Sequence, residues 1–223
     1  MRTHLQRDLN KLIKKLLEIG ALVEEALKKA TSATWSRDLA TAKEVIAGDL
    51  VVDRLEVEFE EECLKVLALH APVAADLRRV VGFLKVNNDL ERIGDLAQNI
   101  AERAAFFATR EPIQLPSELE ELASRTRTMV TECLDAVVNS NAELAHKVVD
   151  DDEIVDDIHQ KFYGTVSRLI DAQPDHAEAV LQLLSLSRYY ERIADQATNI
   201  AEDVIFMVTG EVIRHQASLR KLE

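Results

Sequence analysis

Apolar residues recur along the chain at intervals of three and four, the spacing that places them on one side of an α-helix. Ile93, Ala97, Ile100 and Ala104 follow this pattern in one uninterrupted stretch. Prolines, which rarely lie inside helices, separate such stretches at residues 72, 112, 116 and 174. The pattern predicts six long helices, at about residues 4–31, 36–69, 73–109, 117–139, 142–171 and 174–209.

An internal repeat divides the predicted helices into two sets of three. The segment ERIGDLAQNIAE at residues 91–102 recurs as ERIADQATNIAE at residues 191–202, with nine of twelve residues identical. A weaker match relates residues 49–59 to residues 152–162. A repeat of this kind indicates two copies of one structural unit. The break falls near the segment EPIQLP at residues 111–116, so the sequence predicts one three-helix bundle over residues 1–113 and a second over residues 114–223.

The composition favours an all-α fold and argues against several classes of protein. Aromatic residues make up 4% of the chain and there are six glycines, too few for a typical β-sandwich. The apolar runs are far shorter than the roughly 20 residues of a membrane-spanning helix, so we expect no direct membrane insertion. The formal net charge of −13 repels phosphates and argues against nucleic acid as a partner.

The N-terminal segment and the cysteines refine this picture. Residues 1–20 mix lysines with leucines and are interpreted as a first amphipathic helix, with a membrane-surface anchor as the alternative. Cys63 and Cys133 lie in apolar helical stretches without metal-ligand spacing. This placement is typical of buried, reduced thiols and predicts a cytoplasmic protein.

Acidic residues form a stripe on the second and third predicted helices. At 100° per residue, the stripe on the third helix lies opposite Ile93, Ala97 and Ile100. The stripe on the second helix lies opposite Val51 and Leu55 by the same arithmetic. We therefore expect both stripes to face away from the core. The stripe residues are Glu91, Asp95, Asn99 and Glu102 on the third helix and Asp49, Asp53, Glu56 and Glu60 on the second.

An antiparallel hairpin about Pro72 would place residues level when their numbers add up to about 143. Two acidic pairs then meet at one height on neighbouring helices, and a turn near residue 173 repeats the arrangement in the second copy. The facing pairs are Asp49 and Asp53 with Glu91 and Asp95, and Asp152 and Asp156 with Glu191 and Asp195.

Facing carboxylates repel each other, and a multivalent cation removes that repulsion. Ligands that are all oxygen favour magnesium, manganese, calcium or oxidised iron. The alternative is a solvated acidic surface with Arg92 and Arg192 as partial counter-ions. In the second copy His159 and Tyr163 replace Glu56 and Glu60, which points to iron or zinc there or to weaker metal binding. An ordinary surface histidine is the favoured interpretation of His159.

Other motifs give little support to an enzyme. Glu143 and His146 have the Glu-x-x-His spacing of di-iron sites, but such sites need two of these motifs. The sequence has no glycine-rich phosphate loop and no local nucleophile motif. The segment Asp76-Leu77-Arg78-Arg79 is interpreted as a helix start followed by a solvated basic pair, or as a partner or phosphate contact. A metal-free helical scaffold and, less favoured, a carboxylate-bridged di-iron enzyme remain as alternative functions.

Several of these segments together resemble the PhoU-type regulators of bacterial phosphate uptake. They are the repeated ERIxDxxxNIAE, the segment ADLRRV at residues 75–80 and VIAGDLVVDRLEVEFEEE at residues 45–62. The resemblance spans nearly the whole chain. It implies two three-helix bundles related by a pseudo-twofold axis, in a cytoplasmic and often dimeric adaptor.

The resemblance also implies partners and ligands. Such adaptors link a phosphate ABC transporter, through its ATPase subunit, to a sensor histidine kinase, and they keep the phosphate-starvation response off when phosphate is plentiful. Their cofactors would be metal ions: iron in a multinuclear cluster, or zinc, manganese or magnesium. Carried over to this sequence, the ligands would be Asp49, Asp53, Glu91 and Asp95 in the first bundle and Asp152, Asp156, Glu191 and Asp195 in the second, with Asn99, Glu102, Asn199 and Glu202 nearby.

Overall fold

The computed structural model describes residues 2–213, and all regular secondary structure in that range is helical, with no strand. The predicted all-α fold of six long helices is confirmed. Residue 1 and residues 214–223, which belong to the two predicted bundles, lie outside the described residues. The helices are α1 (Arg2–Ser36), α2 (Leu39–His70), α3 (Ala74–Ala108), α4 (Ser117–Asn139), α5 (Ala142–Ala172) and α6 (Ala177–Thr209).

The connection between α1 and α2 differs from the prediction. Helix α1 continues to Ser36 and ends because Arg37 takes a left-handed conformation with φ of 57°. Asp38 then caps α2 by accepting hydrogen bonds from the backbone N–H groups of Ala40 (2.9 Å) and Thr41 (3.1 Å). Trp35 therefore lies in the last turn of α1 and packs against the core. Its predicted place in a connecting segment was wrong.

The remaining helix boundaries lie within three residues of the predicted ones. Ala71, with φ of 42°, ends α2 immediately before Pro72 and closes the hairpin to α3. Asn141 caps α5 by accepting a hydrogen bond of 3.1 Å from the backbone N–H of Leu144. Helix α6 begins at Ala177, because the three residues from Pro174 to His176 form a 3₁₀ turn.

The two halves of the chain pack against each other along α3 and α6. Helices α1, α2 and α3 contact one another, as do α4, α5 and α6, and α1 also contacts α4. Lys85 near the start of α3 forms an ion pair of 3.1 Å with buried Asp203 near the end of α6. At the opposite ends of these helices, Arg103 donates a hydrogen bond of 2.8 Å to Gln182. This antiparallel exchange is the expected result of a pseudo-twofold axis between the repeats.

The buried faces confirm one stripe prediction and correct the other. Ile93, Ala97 and Ile100 have no exposed surface, as expected for the side of α3 opposite its acids. On α2, Leu55 packs against the core as predicted, but Val51 is 41% exposed, so the prediction that it marks the core side was wrong. Helix α2 carries apolar residues on two sides, and the acidic stripe borders the buried side directly. The buried side consists of Val45, Val52, Phe59, Cys63 and Val66.

Helix α1 uses its apolar face inside the protein. Leu9, Leu12 and Leu16 are at most 2% exposed, so the chain itself covers the surface that a membrane anchor would need. Among residues 2–213, no helix combines the length and the apolar character needed to cross a bilayer. Both cysteines are buried, and burial raises the pKa of the Cys63 thiol to about 12 and that of Cys133 above its usual range.

Candidate metal centre

The hairpin of α2 and α3 brings three aspartates together at the protein surface. Asp49 and Asp53 lie one turn apart on α2 and face Asp95 on α3. One ligand atom from each of the three lies within 4.8 Å of the others. Within residues 2–213 no other group of three or more His, Cys, Asp or Glu residues comes this close. We call these three residues the aspartate cluster.

The register of the hairpin agrees with the predicted sum of 143. Asn87 on α3 donates hydrogen bonds to the backbone oxygen (3.1 Å) and the carboxylate (3.3 Å) of Glu56 on α2. Asn87 has no exposed surface, so it holds Glu56 from the buried side. The sequence interpretation missed Asn87, although positions 56 and 87 add up to the predicted sum of 143.

Burial and mutual repulsion shift the titration of the acids in and around the cluster. Burial, followed by the charges of Asp53 and Asp95, raises the pKa of Asp49 to about 6. Burial and then Asp53 raise the pKa of Asp95. The pKa of Glu91 rises through burial, then Asp95, Asp53 and Glu56. The predicted ligand Glu91 therefore belongs to the same electrostatic group, although its oxygens are not within the 4.8 Å set.

The surroundings of the cluster are partly apolar. Asp49 borders a cavity of about 180 Å³ between α1, α2 and α3, together with Leu22, Val52 and Gly94. A methyl group at position 94 would lie 3.5 Å from Asp49 Oδ1. The apolar lining and the close contact of α2 with α3 explain why burial raises the pKa of this carboxylate.

Two residues of the predicted stripe have other partners. Asn99 donates a hydrogen bond of 2.7 Å to the backbone oxygen of Asp95. Glu102 forms an ion pair of 3.2 Å with Arg103. Their side chains are therefore engaged away from the aspartate cluster.

The second repeat gathers its predicted acids between α5 and α6. Burial, followed by the charges of Asp156 and Asp195, raises the pKa of Asp152 to about 7. The pKa of Asp195 rises to about 6 through burial and then through Glu191 and Asp156. Asp152 Oδ1 is buried without a hydrogen bond of normal geometry, although the Thr198 hydroxyl lies nearby and lowers the pKa of Asp152. These four residues interact, yet they do not meet the distance that defines the aspartate cluster. We call them the second acidic site.

A histidine takes the place of Glu56 in this second site. His159 Nδ1 lies 3.1 Å from the hydroxyl of buried Ser187, and its ring packs edge-on against Tyr163 at 5.3 Å. Burial lowers the pKa of His159, which favours the neutral form with a lone pair for a ligand. His159 and Ser187 correspond in the repeat to Glu56 and Asn87, and they lie level across the predicted turn near residue 173, because their numbers add up to 346, twice 173.

The other motifs lie apart from both acidic sites. Glu143 and His146 are exposed on α5 and belong to no metal-spaced group among the described residues. Arg78, from the basic pair of the third helix, packs at the end of α6, where a methyl group at Gly210 would lie 3.4 Å from its Cζ atom. Arg79 lies over the ring of Phe83 at 5.9 Å.

Comparison with known proteins decides the family. The family model of the PhoU domain matches the chain twice, over residues 16–104 and 119–204. The chain belongs to the PhoU family. The PhoU homologue of Aquifex aeolicus, a phosphate-specific transport system accessory protein, is 34% identical over 210 residues, which cover 94% of this chain and 95% of the relative. The accessory protein homologue of Rhizobium meliloti is 32% identical over 91% of this chain and 86% of its own.

Solved PhoU structures share the fold. PhoU from Pseudomonas aeruginosa superposes with a TM-score of 0.89 at 33% identity, over 92% of this chain and 99% of that chain. The phosphate transport system regulatory protein PhoU from Streptococcus pneumoniae gives a TM-score of 0.85 at 27% identity, over 93% and 98%. Each of the two PhoU-domain matches includes one of the two acidic sites described above.

Proposed function

We propose that this PhoU-family protein is a non-enzymatic, metal-binding regulator of phosphate transport and phosphate-starvation signalling. It acts in the cytoplasm as an adaptor between the ATPase subunit of a phosphate ABC transporter and a sensor histidine kinase, and it keeps the starvation response off when phosphate is plentiful. Family membership and the names of the relatives support the role in phosphate transport. The partners, the inhibitory direction and a homodimeric state are proposed from the same family relation.

The observation that carries the metal half is the convergence of three carboxylates within 4.8 Å. Asp49, Asp53 and Asp95 offer only oxygen donors, which suit magnesium, manganese or oxidised iron. Glu91 interacts electrostatically with Asp95 and Asp53 and is the fourth proposed ligand. A bound cation would neutralise charges that otherwise repel across the hairpin.

The second acidic site fits a metal for a different reason. Asp152 Oδ1 is a buried acceptor without a hydrogen bond of normal geometry, although the Thr198 hydroxyl lies nearby, and a cation would satisfy it. Asp156, Glu191 and Asp195 supply further oxygens, and His159 offers a nitrogen donor, which favours iron or zinc over magnesium. We propose that an iron cluster, or zinc, manganese or magnesium, occupies the two sites.

The raised pKa values argue against a freely hydrated acidic surface. A hydrated carboxylate keeps its ordinary pKa, whereas burial is the largest cause of the raised pKa of the half-buried Asp49 and Asp152. A metal that displaces the remaining protons would bind more tightly as the pH rises. A metal-free scaffold predicts no such coupling between protons and cations.

Elemental analysis and calorimetry test the metal half. We expect protein purified without a metal-affinity tag to retain or take up iron, zinc, manganese or magnesium. A variant with Asp49→Asn, Asp95→Asn, Asp152→Asn and Asp195→Asn should lose that uptake. The matched control, Glu61→Gln, removes an exposed charge of α2 outside the stripe and should bind like the wild type. Equal metal content in both variants, or none in the wild type, would overturn the proposal.

Pull-down experiments test the adaptor half. The ATPase subunit and the sensor kinase should each be retained by the purified protein, and chelation should weaken at least one of the two interactions. Cells lacking the protein should express a phosphate-starvation reporter at high phosphate. Absence of both interactions, together with a silent reporter, would exclude the adaptor role.

A further inference from the structure

The outer side of α2 exposes three apolar side chains in one line. Leu50 is 74% exposed, Val57 54% and Leu64 53%. Residues seven apart lie on nearly the same side of a helix, so the three form a row about 21 Å long. We call this row the α2 seam. It is separate from the buried side of α2, which contains Val52 and Phe59.

The second repeat shows that the fold does not need this row. By the match of residues 49–59 to residues 152–162, continued along the helix, the seam positions correspond to Glu153, Gln160 and Ser167 of α5. All three of these residues are exposed and polar. The same helix in the same bundle thus carries polar residues there. Single exposed apolar residues are common, but a row in heptad register is typical of a surface that receives a helix.

The charge around the α2 seam indicates which kind of helix would bind there. Helix α2 contains eight acidic and three basic residues. Two of the basic residues already pair with glutamates of α2: Arg54 with Glu58 at 3.8 Å and Lys65 with Glu62 at 3.1 Å. Two copies of this helix side by side would bring two acidic surfaces together, which is unfavourable. A helix with apolar residues and flanking lysines or arginines complements both the seam and its surroundings.

We propose that the α2 seam is the docking surface for a basic amphipathic helix of another protein. The apolar residues of that helix would pack along Leu50, Val57 and Leu64, and its cations would face the glutamates on either side. The surface itself does not depend on bound metal. Only the identity of the protein that carries the helix rests on the proposed adaptor function.

The probe is a synthetic 21-residue helical peptide with leucines at heptad spacing and lysines beside them. Binding to the full chain is measured by calorimetry in 150 mM salt, which screens unspecific attraction. The triple variant Leu50→Gln, Val57→Gln, Leu64→Ser keeps the charge of the protein and should bind the peptide at least tenfold more weakly. The control variant Ile154→Gln, Leu181→Gln removes two exposed apolar residues elsewhere and should bind like the wild type.

Three results would overturn the proposal that the α2 seam is a docking surface. One is unchanged peptide affinity in the triple variant, which would indicate attraction by charge alone. Another is equal binding of a control peptide with glutamates in place of the lysines. The third is a wild-type dimer that the triple variant dissociates in sedimentation, because the occupant would then be a second copy. Manganese binding, measured on the same variants, should not change, so failure of the metal proposal and failure of the seam can be told apart.

Discussion

The two acidic sites occupy equivalent places in the two repeats but differ in hydration and in donors. In the first, three aspartates approach within 4.8 Å and Asp95 is exposed. In the second, Asp195 is exposed as well, but the pKa of Asp152 rises to about 7 with burial as the largest cause, compared with about 6 for its counterpart Asp49. The comparison indicates that the same pair of neighbouring helices can form a tighter, all-oxygen site in one repeat and a more buried site with a nitrogen donor in the other.

Paired substitutions account for much of this difference. Glu56 with its partner Asn87 in the first repeat becomes His159 with Ser187 in the second. Gly94 becomes Ala194, which adds a methyl group at a position that borders Asp49 in the first repeat. The residue at position 56 or 159 and the side chain that contacts it have changed together, as expected when the two form one hydrogen-bonded unit.

The largest effect is expected from removing one ligand per site. Asp95→Asn should weaken Mn²⁺ binding at the first site by about 100-fold, which is about 2.7 kcal/mol. Asp195→Asn should leave the first site unchanged, because it lies in the other repeat. Titration followed by electron paramagnetic resonance measures both affinities. A loss of first-site affinity in Asp195→Asn as large as that in Asp95→Asn would contradict two independent sites.

The next effect is a dependence of stability on pH in the metal-free protein. A carboxyl whose pKa is raised in the folded state holds its proton more tightly there than in the unfolded chain. Its stabilising contribution is therefore complete below pH 4 and is lost as the pH rises through 6 and 7. For Asp49, Asp152 and Asp195 together we expect the free energy of unfolding to fall by about 2 kcal/mol between pH 5 and 8, after discounting for solvent exposure.

Denaturant unfolding across this pH range checks the sign. Asp152→Asn should remove the largest share of the decline, since its pKa is raised furthest among the three. Saturating Mn²⁺ should abolish the decline, because the cation replaces the protons. A stability that rises between pH 5 and 8 without metal would show that the acids are stabilised as anions in some other way.

A smaller effect is expected from exchanging the donors between sites. His159→Glu gives the second site the all-oxygen donors of the first and should raise its Mn²⁺ affinity about tenfold, or about 1.4 kcal/mol. The reciprocal change, Glu56→His, should shift the first site from manganese towards zinc. Competition calorimetry with both metals measures the preference, and unchanged preferences would mean that positions 56 and 159 do not contact the ion.

The smallest effect is expected from adding or removing one methyl group beside an acidic site. In Gly94→Ala the added carbon would lie 3.4 Å from Val52 Cγ1 and 3.5 Å from Asp49 Oδ1, which are ordinary contacts. The variant should fold, and reduced hydration should raise the pKa of Asp49 by about 0.5. Ala194→Gly should lower the pKa of Asp152 by a similar amount. Carboxyl carbon chemical shifts during pH titration report both, and a lower pKa of Asp49 in Gly94→Ala would contradict the explanation.

Helix number and hairpin register could be predicted from the sequence, because prolines and helical periodicity leave little freedom. The Glu56–Asn87 contact confirms the register that made the acidic pairs level. The side of α2 that faces the core could not be predicted, because Val52 and Phe59 on one side and Leu50 and Val57 on the other give competing apolar faces. Only packing against α1 and α3 selects between them.

Other misses had a signal in the sequence. Asp38 precedes a helix and is a strong capping residue, which would have placed the start of α2 correctly. Asn87 and Ser187 are polar residues on buried faces at the level of Glu56 and His159. The distances among the acids could not be predicted, because they depend on how closely α2 approaches α3 and α5 approaches α6.

The contacts between α3 and α6 carry a thermodynamic consequence. Buried Asp203 of one repeat pairs with Lys85 of the other, and the buried hydroxyl of Tyr190 donates a hydrogen bond of 3.1 Å to Thr31. Neither repeat can unfold without uncovering groups of its neighbour, so the chain should melt in a single all-or-none transition. A cation bound at either acidic site would then stabilise the whole chain against heat, including the repeat that it does not contact.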